Sequence, residues 1–496
     1  MANRKKITVN ALSAVVQVAF TALLYFFLYK YLLTKLGVEQ LGVWSLILSF
    51  SSIANLANFG VTSGLVKFVA DYLAEKEEHK IGKLIFTSFV TMSVLFVAAG
   101  IIVFFLSNCF LHLVVDEQFL EAAFQILPFS LISLILNAVS GIFTSVLEGF
   151  QKNYLRNFIY VFSGIVMFGL TLFFTPIYQL KGVAIAQVAQ SLFVFFAALF
   201  LIFKINPFNR FSYWKWSTVS FKELFNYGYK FQVVSICQLL CEPTTKLLLS
   251  RFGGMAILGH YEMASRLVNQ VRALLVNANQ VVIPVVAETI KTKTKKEFHS
   301  FFKKMNQLLL LFTAPLLTLV LIATPLISLV WIGELNNDFV FAMFVLIIGM
   351  GFNIMNGPAY FSSLGEGRLG ILVISHIAMA TINFALGWLL GLLWGGYGVI
   401  AAWGLALIVS ALFLINVYGR KKSLGMFSLF NQNEKLIIII TFFVVILCPF
   451  IFVSHQFSIW TKTIIPFVLM LSYVPILLKN ENIKELITEK LKNRFL

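Results

Sequence analysis

The chain has 496 residues, of which 59% are hydrophobic and only 12% charged, with 38 Lys and Arg against 21 Asp and Glu. A soluble chain of this length would need roughly three charged domain surfaces and about twice that share of charge, so a soluble enzyme or scaffold is excluded. A mean hydropathy of +0.89 and 53 phenylalanines call for an apolar solvent, the bilayer, and the formal charge of +17 then reads as cytoplasmic loop Lys/Arg rather than a nucleic-acid surface.

Apolar runs of about 20 residues, the length that crosses a bilayer, predict an all-α integral membrane protein with fourteen helical spans. Arg4-Lys5-Lys6 precedes a run from Val9 to Leu33 that is too long for a signal peptide and lacks a small-residue cleavage site, so it is expected to remain as span 1. Spans 2 to 6 follow near 41–66, 84–107, 120–147, 157–178 and 182–203. A second set lies near 226–250, 257–287, 307–332, 339–364, 369–390 and 397–418. Two more, 436–453 and 459–478, precede an amphipathic basic tail from Ile483 to Leu496. The expected domains are an N-terminal six-helix lobe (1–203), an inter-lobe linker (204–224) with Trp214-Lys215-Trp216, a second six-helix lobe (225–418), and two additional helices with the tail (419–496).

Five of the Lys and Arg fall inside spans: Lys30, Lys230, Lys246, Arg266 and Arg272. Only Lys35, Lys181, Arg251 and Lys462 fall on one face of the predicted membrane, and all the rest on the other. That asymmetry places both termini in the cytoplasm. The outer loops are all short, which leaves no room for an external catalytic domain. Cys109, Cys237, Cys241 and Cys448 form no CxxC pair, so neither a disulfide framework nor a zinc site is expected.

The chain repeats itself. A shift of 217 positions aligns Gly37, Leu41, Gly42, Val69, Ala70 and Asp71 with Gly254, Leu258, Gly259, Val286, Ala287 and Glu288 without a gap, and Trp44 with Tyr261. After a one-residue slip, Gly182-Val183 pairs with Gly398-Val399. Each repeat holds six spans, an even number, so the two lobes are expected to run parallel, an arrangement found in transporters that rock about a central site.

The polar residues of span 8 carry the chemistry. At 100° per residue, Glu262, Ser265, Arg266, Asn269, Gln270, Arg272, Asn277, Asn279 and Gln280 share one half of the helix, and Met263, Leu267, Val268, Val271, Leu274, Leu275 and Val281 the other. A charge at the bilayer centre costs about 3 kcal/mol or more against lipid, so this stripe is expected to line water or a partner helix. Span 7 repeats the pattern with Gln232, Ser235, Gln238, Glu242 and Lys246. Span 1 does so with Asn10, Ser13, Gln17 and Thr21, and span 2 with Ser45, Ser49, Ser52 and Asn55. These four spans are expected to wall a polar cavity between the lobes, with Arg272, Arg266, Asn269, Asn55, Gln17, Gln238 and Lys246 as candidate substrate-binding residues. Arg272 sits roughly 21 Å into its helix at about 1.5 Å per residue, near the midplane, and its guanidinium fork suits phosphate oxygens; the alternative is an Arg that only ties span 8 to its neighbours.

Glu242 and Lys246 stand one turn apart around Pro243, and Glu262 and Arg266 repeat that spacing. Both acids are candidates for coupling to H+ or Na+, Glu242 the better placed because it lies on the polar stripe of span 7 beside Pro243, which removes a backbone donor, against the simpler reading of pairing within a helix. Lys30 is expected to snorkel to the interface, and Glu148, Lys152, Arg156, Glu288, Glu366 and Arg368 to serve as loop or gate charges. His376, with no acidic or histidine neighbour at helical spacing, is expected to be a satisfied packing residue. No nucleophile elbow, metal cluster or Gly-rich phosphate loop occurs, so no cofactor, metal or enzymatic activity is expected.

Leu36-Gly37-Val38-Glu39-Gln40-Leu41-Gly42, the small-residue run ending at Asn58-Phe59-Gly60, and the counterpart Leu258-Gly259-His260-Tyr261 leading to Pro284 resemble polysaccharide flippases of the Wzx type, in the multidrug/oligosaccharidyl-lipid/polysaccharide exporter superfamily. The resemblance covers essentially the whole chain. It implies two six-helix lobes around a cationic cavity and alternating access that carries an undecaprenyl-diphosphate-linked oligosaccharide to the outer leaflet of a bacterial inner membrane. The implied partners are that lipid-linked oligosaccharide, membrane lipids and other polysaccharide assembly proteins. The lack of a mid-span carboxylate or Arg in span 1 disfavours a cation-coupled drug exporter, and the short outer loops disfavour a glycan polymerase, ligase or glycosyltransferase.

Overall fold

The computed structural model describes residues 4–58, 60–77, 79–205, 214–280, 295–366, 368–453 and 459–480, and every regular element among them is a helix. Nine elements are apolar and long enough to cross a membrane by length and composition. Two of these run 53 residues, Asn153–Ile205 and Leu369–Lys421, about 80 Å at 1.5 Å per residue, far beyond a hydrocarbon core of about 30 Å. Each therefore has to turn back, the first at Gln179 and the second at Trp394 and Gly395. The 63-residue element Thr218–Gln280 breaks likewise at Gly254. Split at these points, and with 218–280 and 459–479 added, the described residues hold fourteen spans in the order read from the sequence.

The helices are α1 (Arg4–Leu36), α2 (Val38–Ser52), α3 (Val61–Ala74), α4 (His79–Val114), α5 (Glu117–Gly149), α6 (153–178), α7 (180–205), α8 (218–253) and α9 (255–280). Then come α10 (Lys295–Trp331), α11 (Asn337–Met355), α12 (Gly357–Gly365), α13 (369–393), α14 (396–421), α15 (Gln432–Val453), α16 (Ile459–Leu471) and α17 (Tyr473–Lys479). Phe105, Phe173, Phe196, Phe200, Leu392 and Leu393 are exposed large apolar side chains, as lipid-facing positions require.

Span 2 departs from the uninterrupted run expected at 41–66. Its α-helix ends at Ser52, a 3-10 turn covers Ile53–Asn58, and Gly60 is left-handed at φ 68° before α3 begins. The segment carries Asn55 and Asn58 but no charge and no proline, so its hydropathy carries no trace of the break. Its repeat counterpart α9 continues as α-helix past the matching point, so Asn55 and Arg272 occupy different kinds of backbone.

The chain packs as two compact units, Met1–Glu262 and Met263–Leu496. In the first, Val61, Leu65, Val69, Ile81, Ile85, Phe143 and Val146 belong to one buried core, and Trp214 of the linker stacks on Phe203 with ring centroids 5.6 Å apart. In the second, the two additional spans are fastened by Tyr473, whose hydroxyl lies 2.7 Å from the Thr441 hydroxyl on α15 and 3.3 Å from that of Thr318 on α10. Buried Glu434 accepts from Asn480 at 2.7 Å, closing the end of that hairpin. The tail from Ile483 to Leu496 lies outside the described residues.

The repeat is written in the backbone. Gly37 (φ 85°, ψ 168°) and Gly254 (φ 75°, ψ 174°) adopt the same left-handed extended conformation, 217 residues apart, and each is the whole turn between two antiparallel helices. Gln179 (φ 51°, ψ −131°) and Gly395 (φ 59°, ψ −142°) match in the same way at a spacing of 216. In the hairpins they form, Gly182 lies against the Phe174 carbonyl and Gly398 against that of Leu390, again 216 apart.

Candidate functional site

The α8–α9 hairpin sets two acids and a base in the first unit. Because Gly254 reverses the chain within one residue, Lys246 near the end of α8 comes level with Glu262 two turns into α9, and their charges meet at 2.7 Å. Both side chains are 1% exposed. Lys246 also reaches Glu242 one turn earlier at 2.8 Å, but Glu242 is 55% exposed, so of the two acids proposed for ion coupling only Glu262 is fully withdrawn from solvent. Two hydroxyls complete its surroundings: Tyr29 of α1 donates to Oε1 and Ser45 of α2 to Oε2, each at 2.8 Å. A buried ion pair survives desolvation only when its remaining lone pairs are satisfied, and these two hydroxyls do that.

Neither hydroxyl was singled out as a partner of Glu262 from sequence, yet a signal existed. Under the 217-residue shift Tyr29 is the counterpart of Lys246, Ser45 of Glu262, and Tyr25 of Glu242. The cluster is therefore built from two pairs of equivalent positions, with neutral groups from the first repeat and charged groups from the second. The backbones meet as reciprocally as the side chains: a Cβ on Gly42 would collide with the carbonyl oxygen of Met255, and one on Gly259 with that of Val38, and 38 and 42 are the counterparts of 255 and 259. Close approach at small residues is how membrane helices pack, and reciprocity of this kind marks a self-complementary contact.

The other candidates separate from this cluster. Gln17 donates to Thr21 at 3.4 Å and, with Tyr25, Tyr160, Ser163 and Gln190, lines a cavity of about 110 Å³ among α1, α6 and α7, inside the first unit. Asn55 is half-buried in the 3-10 turn. The side chains of Gln232, Ser235, Gln238, Asn277, Asn279 and Gln280 lie outside the described residues.

In the second unit, Arg266 and Arg272 are both half-buried on α9, and Asn269 donates to Ser265 at 3.2 Å. The Nε of Arg272 is buried without a hydrogen-bond partner. Among the described residues no carboxylate pairs with this guanidinium, and the ionisable group close enough to act on it is the Tyr360 phenol of α12. His376 of α13 packs edge-on against Tyr360, ring centroids 6.0 Å apart. Its Nδ1 is buried without a hydrogen-bond partner, so the imidazole is not the satisfied packing residue that was expected.

Of the charges expected at the cytoplasmic ends, four are paired, and Glu288 lies outside the described residues. Arg156 binds Glu148, and nearly buried Glu366 is held by Lys422 at 2.8 Å, Arg368 at 3.2 Å and the Tyr418 hydroxyl at 2.7 Å.

Residues 32–340 match the family described as polysaccharide biosynthesis protein. The chain belongs to this family. Within reach of the polysaccharide biosynthesis proteins, a Shigella flexneri protein named for O-antigen transport is 22% identical over 398 residues, 79% of this chain and 92% of that protein. Among solved structures, an inward-facing multidrug resistance MATE transporter superposes with a TM-score of 0.70 at 13% identity, covering 83% of this chain and 98% of the other. The lipid II flippase MurJ in an inward closed conformation gives 0.68 at 17% identity over 93% and 98%. At these identities the likeness is one of fold: a multi-pass helical membrane architecture shared with these two transporters.

Proposed function

We propose that the chain is a flippase that moves a lipid-linked oligosaccharide, of the undecaprenyl-diphosphate type, from the cytoplasmic to the outer leaflet of a bacterial inner membrane by alternating access, with both termini cytoplasmic. The observation that carries this reading is Arg272: a half-buried guanidinium well inside a span, with no carboxylate partner among the described residues and a buried, unsatisfied Nε. Leaving a buried charged donor unpaired costs on the order of 2 kcal/mol or more, and an anionic headgroup passing through would satisfy it. The family, whose members serve polysaccharide biosynthesis, and the O-antigen name of the Shigella relative support a glycan carrier as the source of that anion.

In this reading, transport is coupled to H+ or Na+ at Glu262 rather than Glu242, because a coupling acid has to change its charge or ligation where solvent does not already screen it. Glu262 also fastens the outer ends of α1 and α2 to those of α8 and α9. Arg266, Asn269, Asn55, Gln17 and Gln238 remain proposed contacts for the glycan.

The test is translocation of a fluorescent lipid-linked oligosaccharide in proteoliposomes. Arg272→Gln is expected to abolish movement, and Arg272→Lys to retain part of it, since Lys keeps the charge but loses the bidentate fork. Full movement by Arg272→Gln at normal protein level would mean that Arg272 only braces α9.

A further inference from the structure

We infer that Tyr360 and His376 complete, with Arg272, a three-donor site for a phosphoryl group in the second unit. The inference rests on the anion-binding role of Arg272 and extends it to two residues on other helices.

Three observations converge on it. Arg272 and His376 each present a buried nitrogen without a hydrogen-bond partner, and such orphans are rare enough in native structures to require an explanation. Tyr360 connects the two: its ring packs edge-on against the His376 imidazole, centroids 6.0 Å apart, and its phenol is the ionisable group that acts electrostatically on the guanidinium. The three side chains come from α9, α12 and α13, and all can donate: five N–H groups from Arg, the phenol O–H from Tyr, and Nδ1–H from a His in that tautomer.

What they would hold follows from the donor set. The Glu262 cluster supplies its own acceptor, whereas no carboxylate of the described residues pairs with Arg272. A ligand there has to bring negative charge and several acceptor oxygens at different angles. A carboxylate offers two oxygens in one plane, which a guanidinium fork alone can use up. A phosphate or diphosphate offers three or more in a tetrahedral array, enough for donors arriving from three helices. The position suits an anion arriving from the cytoplasm. Tyr360 lies six residues before Glu366 and His376 eight after Arg368, about 9 and 12 Å from that end of their helices at 1.5 Å per residue. The break at Asn356, where α11 ends and Gly357-Pro358 starts α12, puts Tyr360 in the first turn of a short helix of its own.

The same chemistry could come from a diphosphate-linked lipid or from an ordinary phospholipid, and the experiment separates them. Purified full-length protein in neutral detergent would be titrated with inorganic pyrophosphate, with farnesyl diphosphate, and with dioctanoyl phosphatidylglycerol, with binding read by calorimetry. Wild type is expected to bind the two diphosphates at least tenfold more tightly than the phosphodiester. Tyr360→Phe and His376→Phe are each expected to weaken diphosphate binding about tenfold, the loss of one hydrogen bond to a charged group. His376→Asn, which keeps a donor near the Nδ1 position, is expected to stay within about threefold of wild type. Melting temperature and gel-filtration profile, recorded for each variant, establish that it is folded.

No diphosphate binding by wild type, or equal loss with His376→Phe and His376→Asn in folded protein, would overturn the three-donor site. Equal binding of phosphatidylglycerol would overturn its diphosphate assignment. If Arg272→Gln abolishes binding while Tyr360→Phe and His376→Phe leave it unchanged, this inference falls and the proposed role of Arg272 stands; if Arg272→Gln binds as wild type, both fall.

Discussion

Tyr29 and Lys246 stand 217 residues apart and grip the two oxygens of one carboxylate, Oε1 and Oε2 of Glu262, at 2.8 and 2.7 Å. Equivalent positions of the two repeats thus bind a single group, one as a neutral donor and the other as a cation. For alternating access the consequence is specific. Separating α1 and α2 from α8 and α9 at their outer ends breaks the Tyr29 and Ser45 bonds and leaves Lys246–Glu262 intact.

A double substitution, Tyr29→Phe with Ser45→Ala, is therefore expected to favour the outward-open state without unpairing a charge. The two lost hydrogen bonds to a charged acceptor amount to about 3 kcal/mol together. In a background with Cys109, Cys237, Cys241 and Cys448 replaced, Ser49→Cys, buried one turn below Ser45, reports the opening. Its labelling by a membrane-impermeant thiol reagent from outside should rise several-fold, and an unchanged rate would show that the cluster does not fasten the outer face.

Glu242 and Glu262 should behave differently on neutralisation. Glu242→Gln leaves Lys246 with its buried partner, so export and its pH profile are expected to stay near wild type. Glu262→Gln strips the buried cation of its closest counter-charge, which costs roughly 3–5 kcal/mol in typical buried pairs, here less because Glu242 remains at 2.8 Å. Export should fall and lose its pH dependence. Glu262→Gln with Lys246→Gln should recover the melting temperature but not the export. Recovery of both, with an unchanged pH profile, would reduce the pair to a brace and remove Glu262 as the coupling acid.

Gly42→Ala and Gly259→Ala are expected to be equally harmful, since each drives a methyl into a backbone carbonyl that cannot rotate away. Overpacking of this kind costs about 1–3 kcal/mol, visible as a lower melting temperature and lower yield. Gly169→Ala and Gly370→Ala, where an added Cβ meets open space, serve as controls and should match wild type or exceed it. A harmless Gly42→Ala would mean that the helices are not locked at this crossing.

At the C-terminal end of α3, burial and a 2.7 Å hydrogen bond to Glu223 hold the Tyr72 phenol well above its ordinary pKa. A raised folded-state value means that the neutral phenol stabilises the fold fully below the unfolded pKa of about 10, and that this contribution is lost as pH climbs from there toward the higher folded value. Tyr72→Phe should cost about 1 kcal/mol at pH 8 and show a smaller fall in melting temperature between about pH 9.5 and 11. An identical alkaline slope in both proteins would assign the loss to other groups.

The spans were legible because membrane-length apolar runs separated by charged loops have few other readings, and the repeat aligned Gly37 with Gly254, the two residues that form matching tight turns. The break at 53–60 was not, because a 3-10 turn in a segment without charge or proline changes no property that hydropathy measures. The polar stripe of α9 was visible in its spacing, but which helix each of its residues meets is a matter of packing. The helical wheel that placed Glu262 and Arg272 on one side could not reveal that the first is sheathed by Tyr29 and Ser45 while the second keeps a buried nitrogen without a partner. His376 illustrates the same limit: its sequence neighbourhood shows no acidic partner, and only the packing shows a nitrogen left over.

The reciprocal contact of Gly42 with Met255 and Gly259 with Val38 is what two identical copies of a six-helix half would make as a homodimer. In such a dimer the groups at the Ser45 and Glu262 positions would have to be the same residue, and two glutamates there would face each other across 2.8 Å of apolar interior. Opposite roles at that point are open only to halves that are encoded separately, so joining them in one polypeptide is what permits a single carboxylate to sit where the copies meet.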